Sequence, residues 1–167
     1  MRTNRAVPTL MAVALAWSAG VANLEAQQQH AVNLALVTPI QLYPAETVIT
    51  GFRFNLIYGR NAAVTGLDMG AVNHVSGGPL KGVQLGLVNM TDWGSGFQAG
   101  IVNLNEGDFE GAQWGAFNQT GLNNGLQLGL VNYAQKAKGI QVGVVNIIRE
   151  GGRFPIMVLV NWGTSSD

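Results

Sequence analysis

An eight-residue pattern, Gly-x-Gln-x-Gly-x-x-Asn, recurs along the chain as GVQLGLVN from residue 82, GFQAGIVN from 96, GAQWGAFN from 111, GLQLGLVN from 125 and GIQVGVVN from 139. Looser copies start at Gly66 (GLDMGAVN) and Gly51 (GFRFNLIY), and a last one runs from Phe154 to Asn161 (FPIMVLVN), making about eight units of 14–16 residues. A fixed period of this kind means one supersecondary unit stacked many times, and it is read before any local feature. Catalysis needs a few unlike groups converging on one point, whereas here like groups recur along a line.

Within a unit, positions two, four and six are apolar (Val83, Leu85, Leu87; Phe97, Ala99, Ile101; Leu126, Leu128, Leu130) and positions one, three and five read Gly, Gln, Gly. Alternation with period two specifies a β-strand with one face turned to a core, and the apolar face is the expected inward one. Trp114, at position four, is then expected in the core. Polar linkers such as MTDWGS and LNEGDFE predict a turn at the terminal Asn, because Asn tolerates left-handed backbone.

Two all-β architectures use such units. One is a parallel β-solenoid, each unit one coil; the other is an antiparallel meander closed into a small β-barrel. Linkers of 8, 6, 7, 6 and 6 residues do not alternate in length as barrel turns and loops do. The short apolar strands also fall below the roughly 9–11 residues of a membrane-spanning strand. Parallel stacking would place Arg53, Asp68, Gln84, Gln98, Gln113, Gln127 and Gln141 in one ladder, and the terminal asparagines in another. The solenoid is the expected fold and the barrel the alternative.

The N-terminus carries Arg2 and Arg5, then an apolar stretch from Ala6 to Ala22 and small residues up to Ala26. This is the pattern of a secretory signal peptide over residues 1–26, and hence of an exported protein. Residues 27–50 are expected to form an N-terminal arm or cap with a first strand near His30–Thr38, residues 51–151 the repeat domain, and residues 152–167 a capping unit and tail. The cap is read from Pro155, which removes a ladder donor, and from Phe154 and Val158, which replace the glycines.

These units, with YGRN at 58–61 and the closing NWG at 161–163, resemble a bacterial family of surface repeat-containing proteins. The resemblance covers roughly residues 31–163 and implies an exported or surface location; it brings no catalytic or binding residue. Some members are lipoproteins, but this chain has no cysteine to carry a lipid.

The residues offer little chemistry. Formal net charge is zero and 11% of residues are charged, which leaves no footprint for nucleic acid. His30 and His74 lack carboxylates at metal-ligand spacing. Asn105, Glu106, Asp108 and Glu110 could supply oxygen ligands to calcium, but other linkers do not repeat the pattern, and a solvated acidic turn is the simpler reading. The glycines recur within strands, without the lysine and helix of a phosphate loop. Trp93, Trp114 and Trp162 could form a sugar-binding or interfacial girdle. No catalytic, cofactor or metal residue is assigned. The expected function is that of a non-enzymatic exported scaffold or interaction surface, meeting an unidentified protein or envelope partner, with membrane association or self-association through strand edges open; the alternative is an outer-membrane barrel whose apolar positions face lipid.

Overall fold

The computed structural model describes residues 28–164, so the expected signal peptide lies outside the described residues. The described elements are all strands: β1 (Gln29–Val37), β2 (Ile40–Gln41), β3 (Val48–Asn61), β4 (Ala63–Leu85), β5 (Val88–Ala99), β6 (Val102–Asn105), β7 (Asp108–Ala137), β8 (Ile140–Glu150) and β9 (Ile156–Trp162). They form one sheet in the order β2-β1-β3-β4-β5-β6-β7-β8-β9. From β1 to β8 the successive rows pair in parallel, with Val83 beside Phe97, Gln84 beside Gln98, and Phe97 beside Ala112. This is a parallel β-solenoid of about 8 turns. Parallel pairing removes the antiparallel barrel.

The last unit does not make a further coil. β9 runs antiparallel to β8, placing Trp162 beside Ile140 and Val160 beside Val142. At the other end β1 supplies the first parallel row, with Val32 beside Phe52 and Leu34 beside Phe54.

The strands turn their faces opposite to the expectation. Gln84, Gln98, Gln127 and Gln141 are fully buried and Gln113 nearly so, whereas Leu87, Ile101, Leu130 and Val144 are more than half exposed. Trp114, expected in the core, is 63% exposed. The cause lies in the narrow coil. A unit of 14–16 residues encloses a lumen that cannot hold three large side chains from one strand. The Gly-x-Gln-x-Gly face sends in one side chain between two residues without Cβ atoms. At Gly100, a Cβ would lie 2.6 Å from the Gly86 carbonyl oxygen and 2.7 Å from Nδ2 of Asn89, so the lumen has no room for alanine there. At Gly96, φ is +124° and a Cβ would overlap the Gly82 carbonyl, which makes glycine necessary twice over.

Polar side chains can line this lumen because stacking satisfies them. From Gln98 onward each ladder glutamine Nε2 donates to Oε1 of the preceding coil: Gln141 to Gln127 at 2.7 Å, Gln127 to Gln113 at 2.8 Å, Gln113 to Gln98 at 3.0 Å and Gln98 to Gln84 at 2.8 Å. Asparagines form a second ladder that donates the other way, toward the C-terminus: Asn73 to Asn89, Asn89 to Asn103, Asn103 to Asn118, Asn118 to Asn132 and Asn132 to Asn146, all at 2.8 Å. Their second amide hydrogens go to carbonyls at the foot of the next strand, as from Asn89 to Ala99 at 2.9 Å. These asparagines are therefore buried strand residues and not the expected left-handed turn residues. The chain bends two to three residues earlier, at Gly86–Leu87 and Gly100–Ile101.

The diverged coil at Gly51 keeps the second ladder by exchanging two residue types. Asn55 lies beside Gly70 and Gly59 beside Asn73, the reverse of the regular order. From its displaced position Asn55 still donates to Oδ1 of Asn73, at 2.7 Å. Apolar packing fills the remaining lumen in two small clusters: Ile49, Val64, Val75, Leu80 and Phe109, and then Ala134, Ala137 and Ile148.

Candidate contact surface

The inversion places the repeated apolar residues outside. In every coil from Gly51 to Gly139, positions two, four and six are apolar, and not one of these side chains is buried. Parallel register stacks them into three columns running along the solenoid. β1 extends the columns with Val32, Leu34 and Leu36, and β9 with Val158, Val160 and Trp162. Around the bend, position seven adds Val72, Val88, Val102, Phe117, Val131 and Val145. Outside the lumen, charged residues keep to the linkers: Asp92, Glu106, Asp108, Glu110, Lys136 and Glu150 all lie away from the columns.

The buried ion pair lies beneath this surface. Nε and Nη2 of Arg53 each donate to Asp68 at 2.6 Å, a fork-to-fork geometry in which both side chains are fully buried. Nη1 of Arg53 donates to the His74 carbonyl at 3.0 Å and to Oδ1 of Asn61 at 3.3 Å. All of these contacts hold the stack together, and the pair is closed off from solvent.

The two histidines stand in separate surroundings. His30 stacks on Tyr43, with ring centroids 3.6 Å apart and planes 11° from parallel. Nδ1 of His74 meets the Tyr58 hydroxyl at 2.9 Å. Burial pushes the His74 imidazole below its ordinary value, and the nearby Arg60 and Arg53 charges add to the effect against Asp92 and Glu106. The four candidate oxygen donors for calcium are divided by the coil wall. Asn105 is buried, donating to Oε1 of Gln98 at 2.8 Å and accepting from the Thr91 hydroxyl, while Glu106, Asp108 and Glu110 are exposed. Among the described residues no three His, Cys, Asp or Glu side chains gather as a metal site would require.

Trp93, Trp114 and Trp162 do not form a girdle. Trp114 and Trp162 stand on the apolar face in different rows, whereas Trp93 lines a cleft of about 260 Å³ among the linkers with Pro79, Lys81, Asp108, Glu110 and Leu122. Alternation pointed correctly to the columns but assigned them to the wrong side. The chain matches no protein-family model, no curated protein and no solved structure.

Proposed function

We propose that this is a non-enzymatic, exported protein of the bacterial envelope whose exterior sheet face serves as a scaffold or contact surface. The observation that carries the reading is the set of three outward columns without a charged or polar member. A monomeric soluble protein rarely exposes a contiguous apolar patch beyond roughly 300–600 Å², and larger ones mark sites of protein or membrane contact. The N-terminal pattern over residues 1–26 supports export.

Fractionation of the expressing cell tests both halves of the reading. The mature chain, beginning after Ala26, is expected with the envelope or outside the cell. Leu130→Asp, placed on the outward face, should abolish the contacts this face makes in the envelope, read by cross-linking in intact cells, without unfolding the protein. A cytosolic protein with Met1 intact would refute export. An envelope protein indifferent to Leu130→Asp would refute the role of the face.

A further inference from the structure

Reading the apolar face as a contact surface raises the question of what covers it, and three observations favour a second copy of this chain. The first is area. Rows from β1 to β9, at ~4.8 Å spacing, by the six residues ahead of the bend at ~3.3 Å each, make a face of roughly 800 Å². A stable protein–protein interface takes about 800 Å² from each partner. The face alone thus meets the requirement of a dimer.

The second is the arrangement of large and small side chains. The Gly96 coil supplies the middle row, four coils from β1 and four rows from β9, and its central residue on this face is Ala99. Two copies packed face to face about a two-fold axis along that row would set Ala99 against its own counterpart. Trp114, one row further on and beside Ala99 in register, would meet Leu85 of the other copy. The small residue at the axis leaves space for the two indoles that flank it.

The third is charge. The residue before each coil's first glycine borders the face on its linker side, and in four successive coils these are Lys81, Ser95, Glu110 and Asn124, which also line the linker cleft beside Trp93. The same two-fold sets Lys81 opposite Glu110 and Ser95 opposite itself, with no like charges facing. Among the described ion pairs, Arg53–Asp68 and Lys136–Glu150, neither Lys81 nor Glu110 takes part. A lipid surface would have no use for this alternation of sign.

We propose that the protein forms a two-fold homodimer through its apolar sheet face, with Ala99 on the axis and the Lys81–Glu110 pairs setting the antiparallel order of the two stacks. The proposal rests on the face being a contact surface and names its occupant.

Sedimentation equilibrium of the mature chain, residues 27–167, without detergent should give a dimer mass at micromolar concentration. Leu130→Glu and Ala99→Arg, both outward, should give folded monomers, with circular dichroism and thermal melting reporting the fold. Lys81→Glu or Glu110→Lys alone should weaken the dimer about tenfold, and the double exchange should restore it, as expected for complementary rim charges. A mature chain that stays monomeric at ~100 µM, or a double exchange no better than either single change, would overturn the dimer. Monomers that float with phosphatidylcholine vesicles would overturn it while preserving the contact surface. Monomers that neither pair nor float would overturn both. A dimer that survives both Ala99→Arg and Leu130→Glu would show that pairing uses another surface.

Discussion

Nε2 of Gln84 donates to Oδ2 of Asp68 at 2.8 Å, and by this contact a ladder of five glutamines ends on a carboxylate. A glutamine at position 68 would leave its own amide hydrogens looking for an acceptor in the coil before it. A carboxylate only accepts, so it terminates the run, and Arg53 neutralises the charge it brings. The open ends fall where this logic requires: Oε1 of Gln141, last in one ladder, and Oδ1 of Asn55, first in the other, are buried without a donor.

Asp68→Asn should therefore be strongly destabilising although nearly isosteric. It leaves the Arg53 guanidinium buried without its counter-ion, which costs about 3–5 kcal/mol. Urea denaturation of the mature chain measures the loss, and replacing Arg53 by Met together with Asp68→Asn should recover part of it.

Inside and outside can be separated within one coil, at positions three and six. Gln127→Ala removes the partner of Gln141 Nε2 and of Gln113 Oε1 together, and each orphaned buried group costs about 1–3 kcal/mol. Leu130→Asp, at a position 59% exposed, should change the unfolding free energy by about 0.5 kcal/mol or less under conditions that keep the chain monomeric. Equal losses from the two substitutions would contradict the inverted core.

Stability should also depend on pH through His74. Its imidazole is held below the ordinary 6.5 by burial first and by Arg60 next. Between the folded and unfolded values the unfolded chain binds a proton that the folded chain refuses. The contribution is therefore complete above 6.5 and is lost as pH falls through the folded value. His74→Gln should flatten this part of the stability–pH curve, measured by urea midpoints between neutral pH and mild acid.

Removing residues 152–167 takes away β9 and leaves the parallel edge of β8 open. Exposed edges recruit other chains. The truncated protein should form larger, concentration-dependent species in sedimentation velocity, end to end and distinct from a face-to-face dimer. A truncated chain that behaves as the intact one does would show that β9 guards nothing.

Much of this architecture is legible in the sequence. Period, strand type, parallel stacking and the partnership of Arg53 with Asp68 follow from like residues at like offsets. The direction of the faces does not, because strict alternation reads equally well with either side inward. Hydrophobicity chose the leucines for the interior, and geometry overruled it. The usable clue was the pair of glycines flanking each glutamine, which marks the face that must fit a narrow lumen. Trp114 is misplaced by the same inversion. The asparagines, read as turn formers, are strand residues because the bend falls at the preceding glycine, and only coordinates separate those two readings.

The opposed directions of the two ladders bear on how long such a protein can be. A side-chain amide is a dipole, and a row of amides donating one way would build up a potential at its ends, as aligned peptides do along a helix. Every regular coil adds one glutamine dipole pointing toward the N-terminus and one asparagine dipole pointing away from it. The sum barely grows with length. Coils could be gained or lost from the middle of the stack by duplication or deletion of a whole unit, with the charged pair at one end and the reversed strand at the other meeting the same electrical environment as before.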